Sequence, residues 1–88
     1  MNKSDLTPVI CQEECAEVIQ AISKCFRFGL KQTNNYVTNK EHLETELGQL
    51  AYSMQKLIDD WKLDEANIEM AYNNKELTQH LWEEFFPK

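Results

Sequence analysis

Residues that interrupt helices are scarce in this chain. It contains two glycines and two prolines, and both prolines lie near the termini. The long stretch between them therefore lacks the strongest helix breakers. No uninterrupted apolar run approaches the length that crosses a membrane, and no basic segment followed by an apolar one marks a signal peptide at the N-terminus. We expect a helical protein without a membrane-spanning segment.

Positive charge is also scarce. Nine lysines and arginines stand against fifteen aspartates and glutamates, which gives a net charge of −6. Proteins that grip a phosphate backbone do so with basic stripes, so the composition argues against a nucleic-acid partner. An anionic small molecule remains an acceptable ligand where a metal ion bridges it to the protein.

Cysteine occurs three times, an odd number for a disulfide framework. Free thiols in a reducing compartment are the simpler interpretation, so we expect a cytoplasmic protein. With 88 residues, 42% of them hydrophobic and 27% charged, the chain has the composition of one globular domain spanning residues 1–88. A domain this short buries a modest part of its surface, and helical proteins of this size gain stability by sharing a bundle core between subunits.

The spacing of apolar residues predicts three helices. The first has Thr7 as its N-cap and Pro8 as its first residue, and it ends at Gly29, a natural C-terminal cap. Its apolar side is expected to consist of Val9, Ile10, Ile19, Ile22 and Phe26. The polar segment 32–39 that follows is predicted to be a loop.

The second helix begins with a capping box from Thr38 to Glu41. Its apolar residues follow the heptad spacing of a bundle seam: Leu43, Leu47, Leu50, Met54, Leu57 and Trp61. Asp64 is placed to cap a third helix, which is predicted to end between Trp82 and Phe86, before Pro87. That helix is expected to turn Ile68, Ala71, Tyr72 and Leu81 inward, and the aromatic residues Trp61, Trp82, Phe85 and Phe86 are expected in the core or a subunit interface. The short connections predict that neighbouring helices run antiparallel.

Acidic side chains at helical spacing carry the strongest functional signal. Glu14 and Glu17 are three residues apart on the first helix, and Glu46 and Gln49 repeat this spacing on the second. Antiparallel packing would bring these four oxygen donors together in the middle of the bundle. Hard oxygen ligands favour Mg²⁺ or Mn²⁺. The alternative is that these residues belong to an ordinary solvated helix face.

Two motifs in the chain resemble a known family. Glu13-Glu14-Cys15-Ala16-Glu17 and Glu46-Leu47-Gly48-Gln49 are similar to the EExxE…ExxD signature of MazG-type nucleoside triphosphate pyrophosphohydrolases, especially the short single-domain kind of phages and bacteria. The similarity covers roughly residues 8–77. It implies an all-α, MazG-like helical bundle completed by oligomerisation into a homodimer or homotetramer. It also implies metal-dependent hydrolysis of a nucleoside triphosphate, with a deoxynucleotide expected, to the monophosphate and pyrophosphate.

The resemblance also implies roles for individual residues. Glu14, Glu17 and Glu46 would be the catalytic residues that hold Mg²⁺ or Mn²⁺. Gln49 would be the fourth metal ligand, although the family has an aspartate there. The missing charge keeps open the alternative of a degenerate, non-enzymatic nucleotide-binding or helical interaction module.

Four further residues are predicted to bind the substrate. Asn73 and Lys75 resemble the family's Asn-x-Lys segment, which contacts the substrate. Lys24 and Arg27 lie near the end of the first helix, where they are placed to reach a triphosphate. The alternative for this second pair is that it complements the dipole of its own helix.

Overall fold

The computed structural model describes residues 2–85, and the fold is all-α apart from one very short hairpin. Its elements are α1 (Lys3–Phe28), β1 (Thr33–Asn34), β2 (Val37–Thr38), α2 (Asn39–Trp61) and α3 (Glu65–Phe85). The three predicted helices are confirmed. Within residues 2–85, none of the helices has the length and apolarity needed to cross a membrane.

Helix α1 begins earlier than the sequence pattern predicts. Its N-cap is Asn2, whose backbone N–H donates to the carboxylate of Asp5 at 3.1 Å. Pro8 lies inside the helix, because this earlier cap provides a complete turn before it. Thr7 is therefore not the cap. Its buried hydroxyl instead donates to Asp60 Oδ2 at 2.6 Å and joins the start of α1 to the end of α2.

The far end of α1 agrees with the prediction. Gly29 follows the last helical residue with φ of 92°, a conformation that glycine adopts without steric cost, and its N–H donates to the Cys25 carbonyl at 3.0 Å. The predicted loop over 32–39 is a tight hairpin, in which Thr33 pairs with Thr38. Its two central residues, Asn35 and Tyr36, have φ of 53° and 68°, the pattern of a type I′ turn.

Helices α1 and α2 pack against each other and run antiparallel, as predicted. The Thr7–Asp60 bond closes one end of the pair, and at the other end the Cys25 thiol donates to the backbone carbonyl of Asn39 at 3.5 Å. The capping box of α2 is confirmed, since Thr38 Oγ1 accepts from the Glu41 N–H at 3.0 Å.

The residues that line the α1–α2 contact are mostly small or polar. On α1 the buried and half-buried positions, apart from Pro8, recur at alternating intervals of four and three: Thr7, Cys11, Glu14, Val18, Ala21 and Cys25. On α2 the equivalent line is Asn39, Leu43, Glu46, Leu50, Ser53 and Leu57. The predicted heptad rhythm of α2 is therefore right, but its phase is wrong at every second position. Leu47, Met54 and Trp61 are exposed; Glu46 and Ser53 take the places of the first two, and Asn39 extends the line at its start.

The apolar side predicted for α1 is also exposed. Phe26 is 90% and Ile19 67% accessible, and Val9, Ile10 and Ile22 are exposed with them. The contact line between the helices instead combines small residues of α1 with leucines and polar residues of α2. Among the residues whose side chains are described, no large hydrophobic side chain is fully buried.

Helix α3 starts as predicted, with the Ala66 N–H donating to Asp64 Oδ1 at 2.9 Å. It does not pack along α1 or α2, and its described side chains are exposed. The predicted inward positions are therefore wrong for a single chain: Ile68, Ala71, Tyr72 and Leu81 all face away from a core. The apolar spacing identified one face of α3, but within the described chain neither α1 nor α2 packs along that face. Trp61 and Trp82 are likewise exposed, while Phe86 and Pro87 lie outside the described residues.

Candidate metal centre

Three glutamates meet where α1 and α2 pack. Glu14 and Glu17 come from successive turns of α1, and Glu46 comes from the contact line of α2. One carboxylate oxygen of each lies within 4.8 Å of the other two. Glu46 is buried, Glu14 is half-buried and Glu17 is exposed, so the cluster opens to solvent on the side of Glu17. The structure thus brings together three of the residues that the sequence groups by helical spacing.

Two oxygens of the cluster are without a partner. Glu14 Oε2 and Glu46 Oε2 are buried and accept no hydrogen bond in the described part of the chain. Buried polar atoms in folded proteins nearly always have a partner, so two such atoms in one cluster are unusual. Carboxylates held this close together repel one another unless a proton or a cation lies between them.

The protonation of Glu46 reflects this crowding. Its pKa is raised above its ordinary value of 4.5, chiefly because the neighbouring carboxyl group of Glu17 favours the protonated form of Glu46. Loss of water and the negative charges of Glu17 and Glu14 raise the pKa further, while the nearby His42 opposes the rise. The site therefore favours positive charge, supplied either by a proton or by a cation.

His42 is a member of the site that the sequence reasoning missed. Its Nε2 lies 3.2 Å from Glu46 Oε1, and its side chain is half-buried. The imidazole engages one oxygen of Glu46, and the other is the buried oxygen without a partner. The signal was present in the sequence, because His42 precedes Glu46 by four residues and so lies on the same helix face.

The remaining predicted ligand and substrate residues are spread over the molecule. Gln49 is exposed one turn beyond Glu46, and its role as a ligand stays a prediction. Lys24 lines a cleft between the end of α1 and the hairpin, whereas Arg27 places its guanidinium carbon 5.1 Å from the centre of the Phe28 ring. Asn73 and Lys75 are on α3 and line a groove along that helix. Since α3 does not pack along α1 or α2, a single chain does not bring them onto the glutamates.

The donor set of the cluster is suited to a hard divalent cation. It consists of carboxylate oxygens only, it comes from two packed helices, and it includes two buried oxygens with no other partner. Mg²⁺ and Mn²⁺ prefer such ligands, whereas structural zinc sites rely on sulfur and nitrogen. Neither models of protein families, nor curated proteins, nor solved structures match this chain.

Proposed function

We propose that this protein hydrolyses a nucleoside triphosphate, with a deoxynucleoside triphosphate the expected substrate, to the monophosphate and pyrophosphate in a reaction that depends on Mg²⁺ or Mn²⁺. The observation that carries the proposal is the pair of buried, unpartnered oxygens, Glu14 Oε2 and Glu46 Oε2, within a cluster of three carboxylates. The resemblance of the two glutamate motifs to MazG-type enzymes supplies the reaction.

The residues present fit such a cation. Glu14 and Glu46 would hold it through their free oxygens, and Glu17 would close the site from the solvent side. When bound, the cation supplies positive charge against the polyphosphate and makes water easier to deprotonate. A triphosphate could not otherwise approach three carboxylates in a protein of net charge −6.

The side chains around the cation have separate tasks. Glu17 has the most accessible carboxylate of the three, so it is the residue placed to accept a proton from the attacking water. His42 bonds Glu46 Oε1 and thereby fixes the direction of the other oxygen. Lys24 and Arg27, near the end of α1, would attract the anionic substrate toward the site from a distance.

The proposed enzyme is a homodimer or homotetramer. Large apolar side chains are exposed on all three helices, including Phe26, Leu47, Trp61, Leu77 and Trp82. A monomer rarely leaves so much apolar surface in water. In such an assembly α3 of one subunit would cover apolar surface of another, and this would offer Asn73 and Lys75 a route to a neighbouring cluster.

The test is a screen of the eight common ribo- and deoxynucleoside triphosphates with Mg²⁺ or Mn²⁺, in which pyrophosphate release is measured. We expect at least one triphosphate to be cleaved by the wild type and not by Glu46→Gln. The matched control is Glu44→Gln, which removes an exposed charge two residues away on the same helix and should leave the rate unchanged. Equal rates for all three proteins would refute the assignment of the site.

A second function is favoured by one residue. Gln49 replaces the aspartate of the family motif, so the site has one anionic ligand fewer than the related enzymes. A degenerate module that binds nucleotide without cleaving it would keep the metal-dependent binding but release no pyrophosphate. Calorimetric titration with the same eight triphosphates distinguishes this module from the enzyme.

A further inference from the structure

We propose that a cleft beside the hairpin binds the base and sugar of the nucleotide; the inference rests on the proposed function and assigns the nucleoside end of the substrate. The cleft, here called the hairpin cleft, lies between the end of α1, the β1–β2 hairpin and the start of α2. It comprises two adjoining cavities of ≈ 270 Å³ and ≈ 300 Å³, which share Lys24, Asn34 and Asn39 in their walls. Cavities of this size are at the lower end of the range for small-molecule sites.

The position of the cleft fits one end of a nucleotide whose other end is at the glutamates. Lys24 follows Glu17 by seven residues on α1, and Asn39 precedes Glu46 by seven residues on α2. Seven residues of helix rise about 10 Å, so both walls of the cleft lie the same distance from the cluster. His42 connects the two places, because it lines the cleft and also bonds Glu46.

The chemistry of the lining suits a nucleobase better than a polyphosphate. Its polar residues are Lys24, Gln32, Asn34, Asn35, Asn39 and His42, joined by the Thr33 hydroxyl. The amides predominate, and each offers both a donor and an acceptor, as base edges do. In the described lining of both cavities there is no carboxylate and only one lysine. A triphosphate would require more positive charge than that, whereas an uncharged polar ring would not.

An aromatic side chain completes the cleft. Phe28 lines the cavity and is 53% exposed, and Arg27 occupies a position over its ring. Aromatic side chains bind nucleic-acid bases by stacking, a contribution that tolerates any base because every base has a flat face. Phe28 therefore supplies attraction without selectivity, and selectivity falls to the amides.

One of these amides is held in a fixed orientation. The Asn39 side chain is buried, and its Nδ2 donates to the Gly29 carbonyl at 2.9 Å. That bond does not use Oδ1, so the amide offers an acceptor of defined direction. The backbone around it is fixed as well, since the Asn39 N–H donates to the Gln32 carbonyl at 2.9 Å. An acceptor held in place before binding selects a ligand with a matching N–H donor.

Inorganic tripolyphosphate provides the decisive comparison, because it has the phosphate chain but no nucleoside. With Mg²⁺ present, we expect a nucleoside triphosphate to shift the side-chain amide NMR signals of Asn34 and Asn35, and tripolyphosphate to leave them in place. Asn34→Ala should weaken nucleotide binding about tenfold, the effect of losing a single good hydrogen bond, without changing the affinity for tripolyphosphate. The control Asn67→Ala removes an exposed asparagine from α3 and should change neither affinity.

The outcomes separate this inference from the proposed activity. Suppose that no triphosphate is cleaved, but nucleotide shifts the amide signals of the hairpin and Asn34→Ala weakens nucleotide binding. The cleft is then the nucleoside site of a binding module. If triphosphates are cleaved while the hairpin amides do not respond, the inference about the cleft is wrong and the hydrolase stands. An equal loss of tripolyphosphate and nucleotide affinity in Asn34→Ala also overturns it, because the residue would then act on the phosphates.

Discussion

Replacing Glu46 with glutamine should change the stability of the protein in opposite directions with and without metal. In EDTA we expect Glu46→Gln to be more stable than the wild type, because the wild type holds three carboxylates with oxygens within 4.8 Å of one another and the variant holds two. With saturating Mg²⁺ the order should reverse, since the variant has replaced an anionic ligand with a neutral amide. This reversal is the signature of a metal site.

The size of the metal effect follows from where the ligands come from. Glu14 and Glu17 belong to α1 and Glu46 to α2, so the site exists only while the two helices are packed. A ligand that binds only the native state contributes about 2.7 kcal/mol at a hundredfold excess over Kd. For a domain of this size each kcal/mol moves Tm by about 4–8 °C, so the wild type should gain roughly 10–20 °C.

Thermal unfolding followed by circular dichroism measures both effects, in EDTA and in excess Mg²⁺. Glu44→Gln is the matched control and should follow the wild type, because its carboxylate is exposed and outside the cluster. The reasoning fails if Glu46→Gln is destabilised in EDTA. It also fails if Mg²⁺ raises the Tm of wild type and Glu46→Gln equally, since the cation would then bind elsewhere.

Four further predictions follow from other parts of the structure. Because the pKa of Glu46 is raised, the native state binds a proton on this carboxyl group more tightly than the unfolded chain does. In EDTA the stability of the wild type should therefore fall as pH rises from 4.5 through the raised pKa. A series of thermal melts at different pH values in which Glu46→Gln shows the same slope would contradict this. Gln49→Asp should tighten Mg²⁺ binding in calorimetry and increase turnover by restoring a fourth charge, and unchanged values would remove position 49 from the ligand set. Tyr36→Gly should stabilise the protein by about 1 kcal/mol in denaturant titrations, because glycine adopts the positive φ of 68° without strain; a loss of stability would mean that the tyrosine ring makes a contact of its own. Light scattering at micromolar concentration should give at least twice the chain mass of 10.4 kDa, and a well-folded monomer would disprove the oligomer.

Helix ends were predictable where a cap is encoded by adjacent residues. Three helix ends lie where the sequence predicts them, at the Thr38–Glu41 capping box, at Gly29 and at Asp64. Each of these caps depends on interactions that span only a few residues. The predicted start of α1 was wrong, and the reason is equally local. Proline favours the first turn of a helix, but Asn2 and Asp5 form an earlier cap that the pattern around Pro8 concealed.

The core was harder to predict than the helices. Hydrophobic spacing gave the correct rhythm for α2, yet it assigned Leu47 to the seam and left Ser53 out. Part of the contact line consists of small or polar side chains such as Ala21 and Ser53, and a scale of hydrophobicity gives these little weight. The spacing also could not distinguish apolar residues in the α1–α2 contact from those outside it, as the exposure of Phe26 and Ile68 demonstrates.

The carboxylate cluster was largely visible in the sequence. Glutamates three apart on α1, together with one in the apolar seam of α2, sufficed to place Glu14, Glu17 and Glu46 together. The role of His42 was not predicted, because the apolar spacing does not distinguish a lone histidine in a first helical turn from an ordinary surface residue. The hairpin cleft could not have been foreseen, since it depends on how Asn34 and Asn39 are brought together by a turn with two positive φ angles.

The polar residues along the contact face of α2 bear on how α1 and α2 are aligned along their length. Asn39, Glu46, Ser53 and Asp60 recur every seven residues, so a slip by one heptad would still place a polar residue at three of the four positions. The partners would nevertheless change, because Thr7 would lose Asp60 and Cys25 would lose the Asn39 carbonyl. Only one alignment therefore satisfies both ends of the pair, and in that alignment Glu46 stands beside Glu14 and Glu17. The two end contacts, each at least seven residues from the glutamates in sequence, thus favour the alignment in which the three carboxylates meet.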